Sequence, residues 1–148
     1  MKISSKGRYG LAAMIHIAQK GLTGEYITII SIAESLSISK IYLEQVFSLL
    51  KRANLVISVK GAQGGYRLSR SPEEISAREI LEAIELSLFE TTDSTVKASA
   101  LPIEKAMENL LWRKLDNEVA ITLAAVSLQS LVEEAEINKD DDDLMFYI

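Results

Sequence analysis

Two short helical periodicities, separated by a three-residue break and followed at once by a glycine-rich turn, limit what this chain can become more than any other feature. Ile32, Ala33 and Leu36 form the buried side of a first short helix, which Ser37-Ile38-Ser39 interrupts. Behind Ser39, a good N-cap, Leu43, Val46, Phe47 and Leu50 recur at i, i+3, i+4 and i+7 and predict a helix to about Ala53. Two short helices joined by so tight a turn are the sequence form of a helix-turn-helix. The next segment, Leu55 to Lys60, is β-branched and alternating; Gly61-Ala62-Gln63-Gly64-Gly65 tolerates positive φ, and Tyr66-Arg67-Leu68 returns. A hairpin in that place is a wing.

The flanks supply the rest of a core. Leu11, Met14, Ile15 and Ala18 predict an amphipathic helix over Lys6 to Gln19 that stops near Gly21. Tyr26 to Ile30 reads as a brief strand leading into the second helix. Ser76-Ala77-Arg78-Glu79 is a capping box, and Ala77, Ile80, Leu81 and Ile84 form the apolar stripe behind it. Ser87 to Leu101 has no periodicity and reads as a loop. Pro102 suits a helix first turn, and Ile103, Met107, Leu110, Leu111 and Leu115 mark a long helix to about Ala125. A helix with an apolar side that protrudes from a small domain calls for a second copy of itself, so a homodimer is expected. A short last helix follows, with Ser127 as cap and Leu128, Leu131, Val132 and Ala135 inside; the acidic run Asp140 to Asp143 then reads as a solvated tail. The fold class is therefore mainly α: a winged helix-turn-helix domain over residues 1–86, a loop over 87–101, dimerisation helices over 102–138, and an acidic tail with an apolar end over 139–148.

Charge and composition narrow the function. Residues 1–70 carry ten Lys and Arg against three acidic side chains, a net +7, whereas residues 71–148 carry six against eighteen, a net −12. A basic first half is the footprint of something that approaches a polyanion, although a one-sided surface charge also arises without any partner. The 148 residues contain no Cys, which excludes disulfides, thiolate zinc sites, cysteine nucleophiles and cysteine-ligated clusters. The longest charge-free stretch, Val119 to Val132, has 14 residues, short of the roughly 20 that a spanning helix needs. The opening Met1 to Lys6 superficially resembles a signal peptide, but Arg8, His16 and the lack of a small-residue cleavage site speak against it. The expected location is the cytoplasm, with no membrane association.

Among candidate sites, the exposed side of the third helix offers Ser39, Lys40, Tyr42, Gln45 and Ser48, with Lys51 and Arg52 near its end. Gln pairs with adenine, Ser bonds base or phosphate, Tyr stacks or bonds phosphate, and Lys displaces counterions. Glu44 is out of place beside phosphates unless it accepts from cytosine N4 or orients a neighbour. For an isolated helix a plain soluble face is the better reading; the wing with Lys60 and Arg67, inside the basic half, shifts the weight toward DNA. The Gly61 to Gly65 run lacks the Lys-Ser or Lys-Thr and the βαβ setting of a nucleotide loop. His16 lies among Ala, Met and Ile, where a packed histidine is the ordinary case. The Asp run lacks calcium-loop spacing. No nucleophile, base and orienting group are placed together, so no enzyme is expected.

Three motifs then carry a family resemblance. Lys2-Ile3-Ser4-Ser5-Lys6-Gly7-Arg8-Tyr9-Gly10, Ile38-Ser39-Lys40-Ile41-Tyr42-Leu43-Glu44-Gln45 and Lys60-Gly61-Ala62-Gln63-Gly64-Gly65-Tyr66, with Leu111-Trp112-Arg113 in the long helix, closely resemble the Rrf-two family of bacterial winged-helix transcription regulators. The resemblance covers nearly the whole chain. It implies a dimeric DNA-binding repressor with the third helix in the major groove and the wing tip in the minor groove of a pseudo-palindromic operator. Contacts would come from Ser39, Ile41, Tyr42, Glu44 and Gln45, with Lys40 beside them, and from Lys60 and Gly61 in the wing. Helix one, with Ser4, Lys6, Arg8 and Tyr9, would lie along the backbone. Lys60 is often Arg in relatives, which implies a weaker minor-groove insertion here. Many members hold an iron–sulfur cluster on three cysteines in the loop before the long helix; this loop has none, so the chain resembles the cluster-free branch of cysteine-metabolism repressors and no cofactor is expected. Met145-Phe146-Tyr147-Ile148 also resembles the end of that branch, which acts with cysteine synthase, an enzyme that accepts peptides ending in Ile. The Ile148 carboxylate would mimic such a ligand, or Phe146 and Tyr147 would pack on the dimer. The rival reading is an interaction module that binds a partner enzyme through this tail without binding an operator.

Overall fold

The computed structural model describes residues 2–21, 24–61, 64–96 and 98–146. Helix α1 (Ser5–Lys20) starts where the Ser4 hydroxyl accepts the Gly7 N–H, and it ends at Gly21. It buries Ala13, Met14 and Ile17 completely. Gly10 sits where a Cβ would run into the Ile84 side chain, so its bare backbone lets the helix lie close on α4 (Ala77–Ile84).

Helix α2 (Ile29–Leu36) is capped by Thr28, whose hydroxyl accepts the Ser31 N–H at 3.1 Å. That cap corrects the strand expected over Tyr26 to Ile30: the helix takes the second half, and what pairs is Ile27, which exchanges two hydrogen bonds with Tyr66 at 2.8 Å. Ile32 is fully buried and Ala33 half-buried. Ser37, left-handed at φ 53°, ends α2, and α3 (Lys40–Arg52) follows with Leu43, Val46, Phe47 and Leu50 all buried. Ser39 does precede α3, but its side chain makes no capping bond. The start of α3 is exposed, so water can satisfy its first N–H groups.

Strands β1 (Val56–Val59) and β2 (Gly65–Leu68) form the antiparallel wing, with Val56 opposite Leu68 and Val59 opposite Gly65. Gly65 has φ 149° and lies against the Ile27 carbonyl, which an added Cβ would strike. Replacing Gly65 by Ala is expected to destabilise the fold by about 1–3 kcal/mol, because both the φ and the bridge are lost. A urea midpoint equal to that of the parent chain would show that the bridge contributes nothing.

The capping box opens α4 as expected: Ser76 accepts the Glu79 N–H at 3.1 Å and the Glu79 carboxylate accepts the Ser76 N–H at 2.9 Å. Arg70 adds a 2.7 Å ion pair to the same carboxylate. Burial alone would raise the Glu79 pKa, but the Arg70 guanidinium and Ser76 N–H outweigh it and hold the carboxyl below its ordinary value. The expected loop from Ser87 to Leu101 is shorter than predicted, bounded by 3-10 turns at Leu86–Phe89 and Ala98–Ala100. Helix α5 (Leu101–Met107) carries Pro102 in its first turn, passes through a π-turn at Glu108–Trp112 and continues as α6 (Arg113–Ala125).

Helix α7 (Leu128–Phe146) begins inside the body. Its Leu128 N–H donates to the Ile75 carbonyl at 2.7 Å, and its side chain joins the core. Ser127 caps it, accepting the Ser130 N–H at 3.0 Å. Instead of a short helix and a solvated tail, α7 runs 19 residues through Asp140–Asp143. Once its first turns are seated on α1, where Gln19 reaches Glu136 at 3.3 Å, each further turn only propagates an existing helix. Of the tail expected to meet a partner, Met145, Phe146, Tyr147 and Ile148, all but the backbone of the first two lies outside the described residues.

His16 is buried on α1. Burial, and secondarily the Lys20 charge, hold its pKa below the usual histidine value. Below about pH 6.5 the unfolded chain therefore takes up a proton that the folded chain resists, so stability falls as pH drops through that window. Thermal denaturation from about pH 7.5 to 5.5 is expected to show a falling Tm whose slope flattens in His16→Gln; an unchanged slope would assign the effect elsewhere.

Candidate nucleic-acid interface

Three elements carry the candidate residues: α3, the start of α1 and the wing. Along α3 the outward row is Ile41, Glu44, Gln45 and Ser48, all exposed, opposite the buried Leu43, Val46, Phe47 and Leu50. This division follows from the 3.6-residue repeat: the side that fills the core fixes which side faces outward. Ile41 is 69% exposed, an apolar side chain of the kind that meets a thymine methyl group. The Ser39 hydroxyl, free of capping duty, is exposed at the start of the same row. Lys40 pairs with Glu44 at 3.8 Å with both side chains about half exposed, a contact of little energetic weight. It does supply a cation beside the one carboxylate that looked out of place in the sequence.

Tyr42, expected on the exposed side of α3, is instead half-buried against the core and binds α3 to α1, its ring edge-on to Tyr9 with centroids 5.2 Å apart. The two tyrosines singled out in separate motifs are thus brought together. At the same end of α1, Ser4 and Arg8 are exposed and Lys6 half-exposed, and Arg8 Nη2 donates to Ser5 Oγ at 3.1 Å. Glu85 is a member of this corner that sequence reasoning missed: its Oε1 accepts the Ser4 N–H at 2.6 Å. A carboxylate is favoured at a helix N-terminus, and the available signal was Gly7, where any Cβ would meet the Glu85 side chain.

On the wing, Lys60 and Gly61 are exposed, Gly61 with φ 120°. Ala62 and Gln63, the middle of the turn, lie outside the described residues. Tyr66 ties the wing to α3, its ring centroid 4.5 Å from that of Phe47. Burial, and then the Glu44 charge, push its phenol pKa up, which keeps it a neutral hydroxyl. Arg67, counted as a wing cation, sits over the Tyr26 ring at 4.9 Å and is partly committed there.

The long helix leaves Ile103, Leu110, Leu111 and Leu115 exposed by 45–72%, with Met107 half-buried among them. Among the described residues no helix is long and apolar enough to cross a membrane.

A helix-turn-helix followed by a β-wing defines the winged helix-turn-helix class. Residues 3–134 match the Rrf2 (Rrf-two) family model, described as Iron-dependent Transcriptional regulator. The chain is 35% identical to the HTH-type transcriptional regulator IscR of Aliivibrio salmonicida over 142 residues, 96% of this chain and 83% of that protein. The structure of B. subtilis CymR, described as the global cysteine regulator, matches with a TM-score of 0.74 at 35% identity, covering 90% of this chain and 98% of that one. Staphylococcus aureus CymR in its oxidized form matches with a TM-score of 0.69 at 39% identity, covering 90% and 97%. The chain belongs to the Rrf2 family of transcriptional regulators, and its relatives are regulators rather than enzymes.

The donor set does not fit a thiolate-held iron cluster. The chain has no cysteine, and among the described residues no three His, Asp or Glu side chains come together as a metal site. In the segment ahead of the long helix, the Glu104 carboxylate instead accepts the N–H groups of Thr95 and Val96 at 3.1–3.3 Å.

Proposed function

We propose that this regulator is a homodimer that represses transcription by gripping a pseudo-palindromic operator. Ser39, Ile41, Tyr42, Glu44 and Gln45 read the major groove, Lys40, Lys60 and Gly61 contact the backbone and the adjacent minor groove, and Ser4, Lys6, Arg8 and Tyr9 follow the phosphates. Residues 1–86 form the DNA-binding unit, and the helices after the loop join two copies through Ile103, Met107, Leu110, Leu111 and Leu115. The observation that carries this reading is the α3 row itself: Ile41 and Gln45 stand exposed along it, and the exposed Ser39 at its start makes no capping bond. Paired copies put the two reading helices on half-sites about one helical turn, or a multiple of it, apart.

The test is a mobility shift of genomic fragments over a range of salt. Binding should fall steeply with salt, and replacing Lys6 or Arg8 by Ala should weaken it on every sequence and lower the log–log slope by about one. A protein that shifts no fragment at low salt would leave only the interaction-module reading.

The likeness to CymR, described as a global cysteine regulator, supports sulfur metabolism as the regulated process. The resemblance of Met145-Phe146-Tyr147-Ile148 to the end of that branch supports cysteine synthase as a partner. Deleting these four residues should abolish binding of the enzyme in a calorimetric titration, and an unchanged affinity would reject the partnership.

A further inference from the structure

Where the segment after the Leu86–Phe89 turn crosses the π-turn of the long helix, the chain forms a half-open pocket of about 210 Å³. Thr91, Thr92, Glu108, Trp112, Arg113 and Asp116 line it. Its size lies below the roughly 300–1,000 Å³ of pockets for drug-sized ligands, and its wall carries both signs of charge.

Three observations mark it out from an ordinary surface dent. The Trp112 indole Nε1 is buried and, among the described residues, has no hydrogen-bond partner. An indole N–H can only donate, and buried donors are almost always paired. Trp112 closes the π-turn, a distortion of helical bonding that recurs at functional sites. Finally, Arg113 Nη2 donates to Glu108 at 3.2 Å while remaining well exposed, so its other N–H groups are open. Asp116, three residues on, has no ion pair among the described residues. Helix residues three apart stand about 5–6 Å from each other, a spacing that flanks a molecule whose ammonium and carboxylate are held on one carbon or on adjacent carbons.

We propose that this pocket binds a small zwitterion with an ammonium and a carboxylate on adjacent carbons or on one carbon. The carboxylate takes the open N–H groups of Arg113 and the indole N–H of Trp112; the ammonium faces Asp116. Because Nε1 is now sealed from solvent, the Thr91-Thr92 segment shifts to admit the acceptor. That segment lies between two anchors, the Leu86–Phe89 turn and the Glu104 carboxylate that holds Thr95 and Val96.

Trp112 is the single tryptophan of the chain, so its indole N–H gives one side-chain cross-peak of its own in a proton–nitrogen NMR spectrum. Glycine, L-serine and L-aspartate are titrated into the full chain without DNA, with acetate and methylammonium as single-charge controls. At least one of the three amino acids should move that cross-peak saturably in the millimolar range or below. Arg113→Gln and Asp116→Asn should each weaken the effect about tenfold, equivalent to about 1.4 kcal/mol. Both positions are exposed, so the variants should keep the parent spectrum elsewhere. Three results would overturn the proposal: no saturable shift with any of the amino acids, acetate alone binding as well as they do, or a shift that follows protein dilution instead of ligand, which would mean a second copy fills the pocket. DNA takes no part, so failure here is separate from failure of operator binding.

Discussion

Placing Asp at both Leu110 and Leu111 is expected to convert the protein to a monomer and to weaken its hold on a two-half-site operator by about 10²–10⁴-fold, the gain that linking two binding modules provides. The two leucines are 72% and 45% exposed in the protomer, so the substitutions disturb no core packing within one chain. Ile103, Met107, Leu111 and Leu115 are spaced by four, and on an ideal α-helix such a row drifts by about 40° at each step. The wider π-turn at Glu108–Trp112 winds against that drift. It offsets part of the drift over the step from Met107 to Leu111. Sedimentation should show half the parent mass, and fluorescence anisotropy should show affinity for an isolated half-site unchanged within a few-fold. A variant that still sediments as a dimer would place the interface on another surface.

The second large effect is on the fold. Phe47→Ala is expected to cost about 3–5 kcal/mol, a large share of the roughly 5–15 kcal/mol that holds a domain folded. Phe47 is fully buried in the core, and its ring packs on Tyr66, so its loss loosens the joint between α3 and the wing as well as leaving a cavity. Gln45→Ala, two residues away on the exposed side of α3, should change stability by less than about 0.5 kcal/mol. Its effect falls on recognition: discrimination at one base pair of each half-site should drop by about 1–3 kcal/mol. Urea denaturation separates the two variants, and anisotropy with single-base operator variants reads the second. Equal stability of the two proteins, or unaltered discrimination by Gln45→Ala, would contradict the assignment of inner and outer faces on α3.

Much of this was legible in the residues because several signals agreed. For α3 and α4, the apolar spacing, the mostly polar opposite face and, for α4, a complete capping box all pointed the same way, and the buried sets are those expected. The outward row of α3 followed at once, since a helix whose inner side is settled has its outer side settled too. Other features depend on contacts distant in sequence. Tyr26 to Ile30 has strand-like residues, yet Thr28 caps α2 and Ile27 finds its partner in Tyr66, thirty-nine positions on. The Tyr9 and Tyr42 contact joins two motifs that show no local relation. A run of four Asp near a helix C-terminus opposes the helix dipole, and only the docking of Leu128 in the core accounts for α7 starting where it does. The π-turn leaves no mark in composition, because it is a shift in hydrogen-bond register.

The central claim is that α3, the wing and the start of α1 form one DNA-facing surface, present twice in a symmetric dimer. Hydroxyl-radical footprinting on a fragment enriched from random DNA tests it most directly. Two equivalent protected patches on one side of the duplex, about one helical turn or a multiple apart, is the predicted pattern, and it should vanish with Leu110 and Leu111 replaced by Asp. A single unsymmetrical patch, or enrichment of no sequence at all, would contradict the account.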